Sequence, residues 1–174
     1  CRSAARHLED LLRPAGLRVY LDDRDEYTPG WKYNEWEMRG VPLRAEIGPR
    51  DVKNKQTVLV RRDTRDKTFV PIDHVPGAAA ILLDDIQTSM LTTAREFLEA
   101  NTHKVEDFDT FREIMSGPRG FLKVNWCGDR DLEIEIQQKT SATIRCLLTD
   151  EEPTGPCFYS GKPAEHVAIF AKAY

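Results

Sequence analysis

The sequence predicts an α/β protein: an open mixed sheet with flanking helices, then a small second α/β domain. Helical and strand periodicities alternate over residues 1–75, a long amphipathic stretch follows, and a shorter alternation closes the chain. The composition agrees, since 40% hydrophobic and 31% charged residues are the proportions of a chain that buries a core. No apolar run approaches the roughly 20 residues of a membrane-spanning helix. No secretory leader pattern opens the chain, so a cytoplasmic setting without membrane contact is expected.

SAARHLEDLLRPAG sets Ala5, Leu8, Leu11 and Leu12 at helical spacing, and Pro14 with Gly16 ends the run. LRVYLDD alternates Leu17, Val19 and Leu21 on one face, which predicts a strand. Thr28 and Pro29 form a helix start and Gly40 a helix end. In VPLRAEIG the apolar Val41, Leu43, Ala45 and Ile47 point inward, and Pro42, Arg44 and Glu46 point outward. A further helix starts at Gly48-Pro49, and QTVLVRRDTRDKTFVPI reads as a hairpin turning near Arg65-Asp66. The order α-β-α-β-α-β-β opens on a helix, and the chain begins with Cys1. It is therefore expected to be a piece of something larger whose first strand is missing.

HVPGAAAILLDDIQTSMLTTAREFLEANTHKV is the longest helical segment, with Ile81, Leu82, Ile86, Ser89, Met90 and Ala94 along one stripe. It is expected to connect the domains over residues 76–104. The second domain, 105–174, reads as a helix near Val105 to Met115, a strand GFLKVNWC, a helix GDRDLEIEIQQKT and strands ATIRCLLT and HVAIFAKAY. DEEPTGPCFYSGKPAE is the loop before the last strand.

The net charge of −4 is unevenly spread. Trp31 to Lys67 holds ten Lys or Arg against six Asp or Glu, so local binding of an anionic polymer is compatible with the acidic total. In the same region Tyr33 and Glu37, four apart on a helix, share a face; Trp31, Asn34, Glu35 and Met38 take the other side, where Trp31 and Met38 are expected to pack. A ring beside a carboxylate suits a nucleobase, guanine above all, whose Watson–Crick edge offers two parallel donors to one carboxylate. Arg44 can donate a fork to the O6 and N7 edge. Arg50 and Asp51 occupy the first turn of the next helix, a place for an anion or a directed contact. Bases in single-stranded loops are read in this way. The same spacing also fits a solvated ion-pair network of Glu37, Arg44, Glu46 and Arg50, and surface pairs are worth only about 0–1 kcal/mol. A protein–protein module anchored by Trp31 and Trp36 is the other class of reading.

DDRDEYTPGWKYNEWEMRGVPLRAEIGPRD, continued by VLVRRDT, resembles the anticodon-binding domain of prolyl-tRNA synthetases of the archaeal and eukaryotic type. VEDF, WCG and the closing SGKPA…FAKAY resemble that family's extra C-terminal domain, so the likeness covers essentially the whole chain. The resemblance implies proline tRNA as partner, with guanines at the second and third anticodon positions read by residues matching Glu37, Arg44, Arg50 and Asp51, and Tyr33 stacking nearby. Related enzymes carry Lys at the position of Arg50; both donate, in different geometries. It also implies a terminal carboxylate, here of Tyr174, reaching toward the active site of an upstream catalytic domain. That domain would supply proline activation with ATP and Mg²⁺, and most of a homodimer interface. No catalytic residue is expected in this chain.

The resemblance further implies a zinc site of four cysteines in two close pairs. Cys127 and Cys157 match one member of each pair, but their partners fall at Leu132 and near Tyr159, and Cys146 matches no ligand. Structural zinc takes four ligands, so a metal-free domain is expected, with Cys127 and Cys157 as remnants. Cysteine at 1, 127, 146 and 157, without a tight pair, also predicts no disulfide framework. Nothing in the sequence activates Cys127 toward His166, and buried structural cysteine is expected. The adjacent pairs Asp22-Asp23 and Asp84-Asp85 diverge, which disfavours acid–base work.

Overall fold

The computed structural model describes residues 1–172, so Tyr174 and the role expected of its carboxylate lie outside the described residues. The chain divides into two compact units, Cys1–Thr93 and the part from Ala94 onward.

In the first unit α1 (Arg2–Leu12) turns Leu8 and Leu12 inward, as its spacing predicts. α2 (Pro29–Met38) starts where expected, with the Thr28 hydroxyl accepting from the Trp31 N–H at 3.4 Å and Pro29 in the first turn. It ends with Gly40 at φ +86° while the Val41 N–H donates to the Trp36 carbonyl, closing the helix as a glycine C-cap does. β1 (Leu43–Glu46), α3 (Pro49–Lys53), β2 (Gln56–Arg61) and β3 (Lys67–Pro71) follow. The strands pair in the order β1-β2-β3, antiparallel throughout. The hairpin turns where expected, with Arg65 in the left-handed region.

The predicted strand at Leu17–Leu21 forms no ladder. Its alternation survives as burial: Leu17 and Val19 lie against the core, while Arg18 and Tyr20 face out. A period of two reports that one side is covered, but a strand also needs a hydrogen-bonding neighbour, and among the described residues this segment has none.

β2 is covered on both faces, and Thr57, Val58, Leu59 and Val60 are all buried. On one face Leu59 and Val70 meet Leu8 and Leu12 of α1 and Val75 and Ala79 of α4 (Val75–Ala100). On the other, Arg44 and Glu46 stand beside Val60 and Val58, and α2 lies over them. This corrects two expectations for VPLRAEIG. Arg44 and Glu46 do not point to open solvent, because α2 covers their face. Ala45 is exposed, because the helices on its face reach Leu43 and Ile47 and leave its methyl uncovered.

The second unit holds a mixed sheet in the order β4-β5-β7-β6, formed by β4 (Thr102–Lys104), β5 (Phe121–Trp126), β6 (Ala142–Leu148) and β7 (His166–Lys172). β4, in a segment whose pattern predicts a continuation of the long helix, pairs parallel with β5, and α5 (Phe108–Ser116) makes the crossover. A residue with a side chain could not stand immediately before β5: Gly120 has φ +123°, and a Cβ there would stand 2.6 Å from the Asn101 carbonyl oxygen. Asp107 caps α5 through the Thr110 N–H at 2.8 Å, and Asp129 caps α6 (Arg130–Thr140). The core is Phe111, Met115, Leu122, Val124, Trp126, Ile136, Phe158 and Phe170 with smaller neighbours.

β6 carries a bulge between Ile144 and Cys146. Ile144 pairs with the buried Phe170, but Cys146 pairs with Ile169 on the other face and is exposed. The expectation of buried cysteine holds only for Cys157; Cys127 is half-buried and Cys1 is exposed. No helix among the described residues is long and apolar enough to cross a membrane.

Candidate nucleic-acid interface

Two local rules bring the predicted group together. Four-residue spacing stacks Tyr33 and Glu37 on one face of α2, and the sharp stop at Gly40 returns the chain so that β1 runs beneath that face. Arg44 Nη1 donates to Glu37 Oε1 at 2.6 Å, its Nε donates to Glu46 Oε1 at 2.8 Å, and its guanidinium lies 4.2 Å from the Tyr33 ring centroid. Burial alone would lower the Arg44 pKa, but the bonds it donates to Glu37 and Glu46 outweigh that and hold the group charged. Burial, with Glu46 nearby, raises the Tyr33 hydroxyl, which stays protonated at neutral pH.

The network is not closed. Neither Arg44 Nη2 nor Glu37 Oε2 has a hydrogen-bond partner, and no buried side-chain nitrogen or oxygen among the described residues lacks one. Both atoms therefore open to solvent, one a donor and the other an acceptor. A small hollow beside them is lined by Trp36, Glu37, Val41, Arg44, Val60 and Arg62. Arg62 escaped the sequence reading. Its place depends on the Arg62 N–H donating to the Pro42 carbonyl at 2.9 Å, a pairing that spacing does not reveal.

Arg50 and Asp51 sit on α3, beyond the far end of β1, and among the described residues share no hydrogen bond or ion pair with the Tyr33–Glu37–Arg44 group. Asp51 Oδ2 accepts from the Gly48 N–H at 2.9 Å and Oδ1 from Gln56 at 3.3 Å, which fixes the turn. The Arg50 side chain is exposed and has no hydrogen-bond or ion-pair partner among the described residues.

The outer face of α2 differs from expectation. Trp31 is 44% exposed and Met38 88% exposed. Trp31 stacks on Tyr27 with ring centroids 3.9 Å apart at 11°, and Arg24 lies over both rings. The inward tryptophan is Trp36, and α2 is held through it. Its Nε1 donates to Asp22 Oδ2 at 2.9 Å, and Arg24 bonds both Asp22 oxygens and, at 2.5 Å, Glu35. The bond from Arg24 first, then that from Trp36, hold the Asp22 carboxyl well below the usual carboxylate range against the opposing effect of burial. A folded-state pKa below the unfolded value of about 3.9 gives stability that is present above that value and lost as pH falls through the folded one. Asp22→Asn is therefore expected to melt lower than the parent at pH 7, and the gap should narrow as both are acidified toward pH 2. A gap of constant size across that range would show that the charge on Asp22 does not hold α2.

In the second unit the thiols do not fit zinc. Cys127 and Cys157 share Ser160, but Leu132 packs into the apolar core, and Tyr159 sets its ring edge-on to Phe108 at 4.6 Å while its hydroxyl meets Lys139 at 2.8 Å. Those two positions are spent on packing. Among the described residues no three His, Cys, Asp or Glu side chains converge as ligands. Burial pushes the Cys157 thiol up, but the Ser160 hydroxyl, the Ser160 and Tyr159 backbone and the Cys127 thiol together bring it below its ordinary value. The His166 ring lies beside Gly128.

The comparisons with known proteins match this division. A family model described as "Anticodon binding domain" covers residues 1–80, and one described as "Prolyl-tRNA synthetase, C-terminal" covers 108–174. The chain is 46% identical over 164 residues to Proline--tRNA ligase 2 of Clostridioides difficile, covering 94% of this chain and 34% of that protein. It is 45% identical over 171 residues to Proline--tRNA ligase of Alkaliphilus oremlandii, covering 98% of this chain and 35% of that protein. Prolyl-tRNA synthetase of Cryptosporidium parvum, solved with L-proline and AMP, superposes with a TM-score of 0.87 at 32% identity, over 99% of this chain and 37% of that one. The chain thus spans about a third of the length of the relatives it matches.

Proposed function

This chain belongs to the prolyl-tRNA synthetase family, where it matches the anticodon-binding and C-terminal regions, and from that premise we propose that its first unit reads the anticodon guanines of proline tRNA. The observation that carries the reading is the Arg44–Glu37 ion pair with one donor atom of Arg44 and one acceptor atom of Glu37 left open, on a half-buried surface within the matched region. Glu37 accepts from the Watson–Crick edge of one guanine, Arg44 donates to its O6 and N7 edge, and Tyr33 orients Arg44 from below. Because the guanidinium already lies on Tyr33, the ring positions Arg44 and does not itself stack on the base. Arg50 and Asp51, set apart on α3, serve the neighbouring guanine, Arg50 as donor and Asp51 as acceptor. Within the whole protein this region selects the tRNA. The remainder joins proline to it at the expense of ATP with Mg²⁺, in a cytoplasmic enzyme that pairs as a homodimer.

The test is binding of this chain to transcribed proline tRNA and to the same tRNA with each anticodon guanine changed to adenine. Each change is expected to weaken binding by about 1–3 kcal/mol, the usual cost of a wrong base at a bidentate contact. Equal binding to all three, falling steeply with added salt, would reduce the interaction to phosphate contacts and sink the base-reading claim. Binding insensitive to salt and to sequence would point instead to a protein partner.

A further inference from the structure

In the second unit Cys127 packs against the core cluster that holds Cys157, and the two thiols differ in access. Cys127 is half-buried at the end of β5, and its Sγ lies 3.7 Å from Ser160 Oγ. Cys157 is buried in a turn of the connection between β6 and β7, with the Gly161 N–H donating to its carbonyl at 2.9 Å and its own N–H donating to the Lys162 carbonyl at 2.8 Å. Cys157 belongs to the core cluster against which Cys127 packs, and the Ser160 hydroxyl with the Cys127 thiol helps to bring the Cys157 thiol below its ordinary value against the effect of burial. Two thiols packed together at one strand end and one turn, with the Ser160 hydroxyl 3.7 Å from the first of them, form a dithiol centre, which a single cysteine could not. Cys1 and Cys146 have no such surroundings and are exposed.

We propose that Cys127 and Cys157 form a reversible disulfide by exchange with a low-molecular-weight disulfide such as oxidised glutathione, a modification site that ties the end of β5 to the 157–160 turn. The order of events follows access. The Cys127 thiolate attacks one sulfur of the incoming disulfide, the S–S bond breaks, and one glutathione thiolate leaves. The Cys157 thiolate then attacks the Cys127 sulfur, and the second glutathione leaves. The two protons given up by the protein thiols go to the two glutathione thiolates, so the protein is oxidised by two electrons and the glutathione disulfide is reduced. The cross-link constrains the unfolded chain over the 127–157 loop, so the oxidised protein is expected to melt at a higher temperature than the reduced protein.

The test equilibrates the chain in glutathione buffers of graded redox ratio, quenches with acid, alkylates the free thiols and maps the peptides by mass spectrometry. A Cys127–Cys157 linked peptide is expected, lost again on addition of dithiothreitol, while Cys1 and Cys146 carry only single glutathione adducts. In Cys157→Ser, Cys127 is expected to halt as the glutathione adduct. The proposal fails if linked peptides join Cys127 or Cys157 to Cys1 or Cys146 instead. It also fails if Cys127 and Cys157 stay alkylatable when Cys146 is fully modified, or if the reduced chain binds zinc tightly with both thiolates. The mapping on the unaltered chain decides the matter even where the variant does not fold.

Discussion

Phe170→Ala is expected to destabilise the second unit by about 3–5 kcal/mol, the range for truncating a fully buried phenylalanine. Phe170 is 0% exposed, and its ring meets Phe111 at 5.5 Å and 84°, Trp126 at 5.8 Å and 76°, and Phe158 at 5.7 Å and 63°. These edge-on pairs contribute beyond the apolar area they cover, roughly 0.5–1.5 kcal/mol each. The ring also sits at the centre of the sheet, with Leu122 of β5 and Ile144 of β6 as its cross-strand partners, so both ladders border the hole that truncation leaves. A domain with a total stability of about 5–15 kcal/mol cannot absorb much of that loss. Denaturant melts followed by near-ultraviolet circular dichroism, which reports Trp126 and its neighbours, measure it directly. A loss below about 1 kcal/mol would mean that the cluster repacks into the space and that Phe170 is not its centre. Phe170→Leu keeps most of the volume and should fall between the parent and the alanine variant.

Arg44→Ala is expected to weaken binding of proline tRNA by about 1–3 kcal/mol, roughly 5- to 150-fold. Where the loss falls matters more than its size. A guanidinium that reads a guanine edge loses affinity for the native anticodon and little for one already altered at that base, so the variant discriminates poorly. A guanidinium that only neutralises phosphate weakens every tRNA alike and flattens the salt dependence. Truncation also leaves Glu37 and Glu46 without the cation that pairs with both of them. Folding must therefore be checked by the melting midpoint. Arg44→Lys is the discriminating companion, since it keeps a charge but not the planar fork, and it should recover overall affinity better than it recovers discrimination. Full recovery of both by lysine would reduce Arg44 to a point charge. Unchanged affinity in Arg44→Ala would remove it from the interface.

Much of the candidate site was legible because its geometry is local. Thr28-Pro29 and Gly40 fix where α2 starts and stops, and helical spacing then stacks Tyr33 on Glu37. That Arg44 should meet them also follows from a short connection to the next strand. What was not legible depends on partners distant in sequence. The covering of Arg44 by α2, the arrival of Arg62 through its bond to Pro42, and the clamp of Trp36 by Asp22 are all settled by tertiary packing. Trp31 and Met38 were misplaced for a similar reason: apolar identity says that a side chain can be buried, and only the position of the sheet says which face of the helix is covered. The fold shows the same division. Alternation at Leu17, Val19 and Leu21 reported a covered side correctly and a strand incorrectly, because pairing is a property of two segments.

The bulge in β6 has a consequence for self-association. β6 is the outer strand of its sheet, bonded on one side to β7, and a flat outer strand is a template on which another chain can extend the sheet. Inserting one residue at Arg145 breaks the even spacing of free amides and carbonyls, and the Arg145 guanidinium, bonded to the Ala171 carbonyl at 3.3 Å, sets a charge at the break. At the opposite border β4 is only three residues long, with Lys104 at its end. Each border of the sheet is thus too irregular or too short for a second copy to dock in register, which protects the domain from growing into sheet-like aggregates.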